Sequence, residues 1–188
     1  EAVFDEVVER AVALVQQYRL GRSDELETTL GPLVKTSAAD FVRGQIQEAV
    51  VQGARCHIDE SAFPMSQAGT PYLAPQLLTQ VNHSMRIMTE ESFGPVVGVQ
   101  KVSGDEEAIR LMNDSDFGLT AAVFTQDEAA GVAIGERLQT GTFFINRCDY
   151  LDPALAWTGV KHSGRGCTLS VVGFEQVTRP KSFHLKRV

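Results

Sequence analysis

An α/β fold with a mostly parallel sheet flanked by helices is predicted by three observations. Segments of strand and helix character alternate along the chain, and the connections between them are short. A length of 188 residues with 43% hydrophobic content is also enough to bury one proper core. The first helix is predicted over "VFDEVVERAVALVQQY", where Phe4, Val7, Val8, Ala11, Val12, Leu14, Val15 and Tyr18 form an amphipathic 3.6-residue stripe. A polar loop follows and ends in "TTLGPLV". The run "SAADFVRGQIQEAVVQG" then predicts a second helix, opening on Ser37 three residues ahead of Asp40, close to a capping box, and closing at Gly53. "ARCHI" and "PYLAPQLLTQV" predict short strands around a loop bearing glycine and proline, and "VVGVQKV" predicts a third strand. Helical spacing returns in "DEEAIRLMND", whose acidic first turn suits the helix dipole. "LTAAVFT" reads as a strand, "DEAAGVAIGERLQ" as a helix and "GTFFIN" as a buried strand. The tail "KSFHLKRV" alternates like a half-exposed strand, and the chain holds no internal repeat or low-complexity tract.

Charge and cysteine usage narrow the function classes. The 24 acidic residues against 17 basic ones give a net charge of −7, which opposes docking onto phosphate backbones or anionic lipid. No nucleic acid and no membrane is therefore expected as a partner. No apolar run approaches the roughly 18 residues of a membrane span. Cys56, Cys148 and Cys167 are odd in number, far apart and without a C-x-x-C pair, which fits a reducing compartment, the cytoplasm or an organelle matrix. The chain opens on Glu1 rather than methionine and is expected to be a piece of something longer.

Several motifs fail on inspection. "SGRGCTLS" offers Gly164 and Gly166 but has Leu169 where a dinucleotide-binding loop needs its third glycine. Lys161 precedes His162, Ser163 and Gly164 where a nucleophile elbow needs its first glycine. The four histidines are scattered, so no metal site is expected. Ligands of α/β sheets gather beyond the carboxyl ends of strands, which directs attention to "NRCDYLDPALAWTGVKHSGRG" after "GTFFI". Asp152 and Pro153 with the nearby glycines equally suit a plain turn.

"EESFGPVV", "NDSDFGLTAAVFTQD", "GTFFIN" and "GVKHSGRG", in this order and spacing, resemble the carboxyl-terminal part of the aldehyde dehydrogenase superfamily. "VFDEVVERAVALV", "LGPLV" and "PYLAPQLLTQV" extend the resemblance over essentially the whole chain. It implies a three-layer catalytic domain, incomplete at its start, over residues 1–178, and an oligomerisation strand over 179–188 that makes a dimer or tetramer. In the family a cysteine thiolate attacks an aldehyde, hydride passes to NAD or NADP, and a glutamate activates the water that releases the acid. The resemblance places that cysteine, that glutamate and the nucleotide-binding domain ahead of Glu1, so this chain alone is expected not to turn over aldehydes.

The resemblance also assigns residues. Glu91 is matched to the carboxylate that accepts hydrogen bonds from the nicotinamide ribose, Phe93 to the ring beside the nicotinamide, and Gly94 and Pro95 to the corner that fixes both. Glu90 reads as a solvated neighbour. Asn146 matches an asparagine that braces the active-site loop, with an ordinary turn residue as the alternative. Asp149, Tyr150 and Leu151 are candidate substrate contacts. Trp157 stands where the family usually has phenylalanine, and an aromatic wall there suits an apolar or aromatic aldehyde, although plain core packing would also explain it. Thr158 replaces a usual glycine, and Cys167 and Thr168 replace an arginine and a glutamate of many members, removing an ion pair. A different class of function, a short non-catalytic oligomerisation or regulatory module of the same fold, is equally compatible with these residues.

Overall fold

The first predicted stripe folds as α1 (Phe4–Val15), with Val12 and Val15 packed against buried Ile58, Phe63 and Ala74. The computed structural model describes residues 2–148 and 150–188. These fall into two compact units, Glu1–Gly104 and Asp105–Val188. In the first, α2 (Thr36–Val51) buries Ala39, Val42, Gln45 and Ala49, a stripe spaced by three and four residues. Its start differs from the sequence expectation. Lys35, extended at φ −161°, is the N-cap, and its carbonyl accepts from the Ala38 and Ala39 amides at 3.1 and 3.3 Å. Ser37 therefore sits inside the first turn and caps nothing. The end is as expected: Gly53 adopts φ +103°, and the amides of Gly53 and Ala54 donate back to Val50 and Ala49 at 3.0 and 2.9 Å, a Schellman closure that needs a residue without a Cβ.

The sheet of this unit runs β1 (Arg55–Cys56), β2 (Gln76–Thr79), β3 (Val96–Gly98), with β1 antiparallel and β3 parallel to the central strand. The short helix α3 (Arg86–Thr89) joins β2 to β3. Leu77 and Leu78 of β2, with Leu73, Val42 and Met85, are almost fully buried. Each such side chain contributes roughly 1.5–3 kcal/mol relative to exposure, so this core anchors the corner that follows α3.

The second unit contains α4 (Asp105–Asn113), β4 (Phe117–Gly118), β5 (Thr120–Val123), α5 (Glu128–Gly135), β6 (Thr142–Ile145), β7 (Trp157–Thr158), β8 (Val160–Lys161), β9 (Cys167–Thr168) and α6 (Ser170–Val177). β5 and β6 are parallel, pairing Thr120 with Thr142 through Val123 with Ile145, and α5 makes the crossover. Its N-cap Asp127 accepts from the Ala130 amide at 2.9 Å. β4–β8 and β7–β9 are two-residue antiparallel pairs. β6, expected to be buried, is only half-buried along its length. The tail after α6 forms no helix or paired strand within the chain, and Phe183 and Leu185 stand exposed. Among the described residues, no helix is long and apolar enough to cross a membrane.

Candidate functional site

The acid and aromatic corner sits between α3 and β3, and its two glutamates have different partners. Both Glu90 oxygens accept from Arg86, from Nε at 3.0 Å and from Nη2 at 2.9 Å. The same guanidinium donates through Nη1 to both oxygens of Glu48 on α2, at 2.7 and 2.9 Å, and lies 5.6 Å from the centre of the Phe41 ring. The Arg86 guanidinium holds the Glu90 carboxyl below the usual carboxylate range. Glu90 is exposed, as expected of a solvated neighbour, and is also anchored by Arg86. Glu91 is exposed and has no partner among the described residues. A carboxylate beside an occupied one, itself unoccupied, is available to a ligand.

Two residues on, Phe93 has its ring 84% exposed and its backbone at φ +44°, a left-handed conformation unusual for a bulky residue. Gly94 follows at close quarters with α2: a Cβ built there would lie 2.9 Å from Cγ2 of buried Val42. The Pro95 carbonyl accepts from the Gln76 amide at 2.8 Å, tying the corner to β2. Residues 90–95 face Leu30 to Val34 across an open cleft of about 730 Å³. A carboxylate acceptor and an exposed ring on a fixed turn can hold a polyhydroxy group joined to a flat heterocycle. An acceptor and a ring so placed could hold the ribose and nicotinamide of NAD or NADP.

In the second unit, Asn146 ends β6 at φ +58°. Its Oδ1 accepts from the Thr125 amide at 2.8 Å and its Nδ2 donates to the Thr125 carbonyl at 2.9 Å, while its own amide donates to Val123 at 2.9 Å. This reciprocal clamp extends the β5–β6 pairing by one step. The loop that leaves it carries Tyr150 and Leu151, both about half exposed, and the Arg147 guanidinium lies 4.3 Å from the Tyr150 ring centre. Asp149 lies outside the described residues. Trp157 is half-buried on β7 opposite Thr168, and Thr158 Oγ1 donates to the Gly166 carbonyl at 2.7 Å.

The Aldehyde dehydrogenase family model matches residues 1–183. The chain belongs to the aldehyde dehydrogenase family. It is 37% identical over 178 residues to a vanillin dehydrogenase of Pseudomonas fluorescens, covering 94% of this chain and 36% of that protein. It is 35% identical over 176 residues to the succinate semialdehyde dehydrogenase [NAD(P)+] Sad of Escherichia coli, covering 94% and 37%. Among solved structures, betaine aldehyde dehydrogenase from Staphylococcus aureus in complex with NAD+ superposes with a TM-score of 0.83 at 29% identity, covering 93% of this chain and 35% of that one. Gox0499 superposes at 0.89 with 32% identity, covering 99% and 40%. The chain thus spans little more than a third of the length of these aldehyde dehydrogenases.

As an aldehyde dehydrogenase segment, the chain holds features that its sequence did not announce. The Arg86–Glu48 half of the clamp joins residues 38 positions apart and has no local signature. A second cleft, of about 740 Å³, lies along α1 and is lined by Phe4, Val8, Arg55, His57 and Thr79. His57 Nε2 and Thr79 Oγ1 are 2.7 Å apart there, and burial with nearby Arg55 pushes the imidazole below its usual range. Burial, with Glu60 adding to it, pushes the Cys56 thiol up, away from the thiolate a nucleophile needs. Among the described residues no group of three His, Cys, Asp or Glu side chains could hold a metal ion.

Proposed function

We propose that this chain is a portion of an NAD(P)-dependent aldehyde dehydrogenase that oxidises an aldehyde to a carboxylic acid. The observation that carries the reading is the contrast at the corner: Arg86 occupies Glu90, and Glu91 stands exposed two residues from the open ring of Phe93. When bound, the nicotinamide cofactor supplies the hydride acceptor. Glu91 would accept hydrogen bonds from the hydroxyls of the nicotinamide ribose, Phe93 would pack beside the flat ring, and Gly94 and Pro95 keep both side chains at the strand mouth. Asn146 braces the loop after β6, and Tyr150, Leu151 and Trp157 line the aldehyde path, favouring an apolar or aromatic substrate. The nucleophilic cysteine and the base come from outside these residues, so the 188-residue chain is inactive alone. Residues 179–188 pair with a second subunit, giving a dimer or tetramer in the cytoplasm or an organelle matrix.

Turnover tests this reading. The protein is purified at its native length and an aldehyde panel is followed by NADH or NADPH absorbance, with Glu91→Ala alongside. Cofactor reduction with at least one aromatic or apolar aldehyde is expected. No reduction by any panel member would overturn the enzymatic reading and leave the non-catalytic module.

A further inference from the structure

We infer that Arg86 is a positioning residue for the Glu91–Phe93 corner, acting on the ligand only through the backbone it pins; the inference rests on the corner being the nicotinamide riboside site. The geometry has three parts. First, one guanidinium bonds two carboxylates, Glu90 at the end of α3 through the Nε and Nη2 edge and Glu48 on α2 through Nη1 alone. Second, the Glu90 amide donates to the Arg86 carbonyl at 2.8 Å, so main chain and side chain of Glu90 are both tied to the same residue. Third, Gly94 rests on Val42 one turn and a half earlier on the same helix α2, so the segment is held to α2 at both ends.

Between these two attachments lie only Glu91, Ser92 and Phe93. Phe93 sits there at φ +44°, a conformation that persists only when its surroundings over-determine it. If the Arg86 attachment is released, the three-residue span keeps its Gly94 end, and Glu91 has no hydrogen bond to a described residue that would restore its direction. Arg86 makes no approach to Glu91 itself, so its influence runs through the backbone of Glu90. Lysine cannot replace it, because one ammonium cannot bond two carboxylates edge-on.

The test is a double-mutant cycle on the native-length protein, read as the single-turnover rate of NAD(P)H formation and as the cofactor dissociation constant. Glu91→Ala is expected to slow hydride transfer by about 10- to 100-fold, the scale of a modest misplacement. Arg86→Met and Arg86→Lys are each expected to slow the same step by roughly 3- to 10-fold, on the same reasoning for a smaller displacement. Adding Arg86→Met to Glu91→Ala is expected to cost less than about 2-fold more, because residues coupled in series through a shared backbone shift are not additive. Glu48→Gln, which keeps the Arg86–Glu90 pair, serves as the milder variant if Arg86→Met folds poorly, and is expected to shift the rate in the same direction. A wild-type rate in Glu91→Ala would overturn the nicotinamide reading of the corner. A slowed Glu91→Ala with wild-type rates in Arg86→Met and Glu48→Gln, or full additivity in the double variant, would overturn the positioning role alone.

Discussion

Glu90 and Glu91 are adjacent in the chain, yet Glu90 gives both oxygens to Arg86 while Glu91 gives its own to no described residue. Replacing each by alanine should therefore fail in different ways. Glu91→Ala is expected to leave the melting temperature within a degree or two, in keeping with an exposed surface position, and to slow hydride transfer as described. Glu90→Ala is expected to lower the melting temperature measurably by freeing one side of Arg86, and to slow hydride transfer only by the roughly 3- to 10-fold expected of Arg86→Met. Calorimetry beside single-turnover kinetics with deuterated aldehyde separates the two. Equal small effects from both would mean that the corner is only a turn.

The pin also has a pH dependence. Arg86 depresses the Glu90 carboxyl in the folded chain, so the stability it contributes is present above the unfolded carboxylate range and is lost as pH falls through the lower folded value. Arg86→Met should flatten that acid limb in a urea titration series, whereas a limb unchanged from wild type would place the acid sensitivity elsewhere.

Asn146 combines a left-handed backbone with two side-chain bonds to Thr125. Asn146→Ala loses both bonds and, with them, the polar side chain that lets asparagine occupy the left-handed region, for a cost of about 2–3 kcal/mol in denaturant unfolding. Asn146→Gly loses the bonds but not the backbone freedom and should be less harmful by about 1 kcal/mol. Equal costs would mean that the backbone strain is not felt.

Gly94→Ala drives a methyl against Val42, which is fully buried. The expected destabilisation is about 1–3 kcal/mol, the usual range for overpacking. Adding Val42→Ala should recover part of it, because the two changes share one space. A double variant as unstable as the sum of the singles would argue that the clash is relieved by other means.

Thr142 on β6 carries a buried hydroxyl with no hydrogen-bond partner among the described residues. Thr142→Val keeps the shape and the β-branched preference while removing the unsatisfied group, and should raise stability by about 0.5–1 kcal/mol. A loss of stability would reveal a partner in solution.

Phe183 and Leu185 are exposed at 77% and 86% on a tail that joins no strand among the described residues. Sedimentation should show a dimer or larger species that shifts toward monomer when residues 181–188 are removed. A monomer with or without the tail would refute its role in association.

Local repetition determined much of this protein. The 3.6-residue stripe around Val8 and Val12 marked α1, and the alternation of "LTAAVFT", "DEAAGVAIGERLQ" and "GTFFIN" gave a parallel pair joined by a helix, because periods of this kind are written within a dozen neighbouring residues. The motif around Glu91 and Phe93 was also legible as a corner carrying an acid and a ring. Tertiary structure alone decided the rest. β4, β7, β8 and β9 are two residues long, too short to show any period, and exist because the chain brings Phe117 to Lys161 and Trp157 to Thr168. The start of α2 moved ahead of Ser37 because backbone acceptance by Lys35 outweighed a capping signature. The Arg86–Glu90 pair has the i,i+4 spacing that a helix offers, whereas the same arginine's bond to Glu48, 38 residues away, depends on how α3 packs against α2 and on nothing in the order of the residues around it.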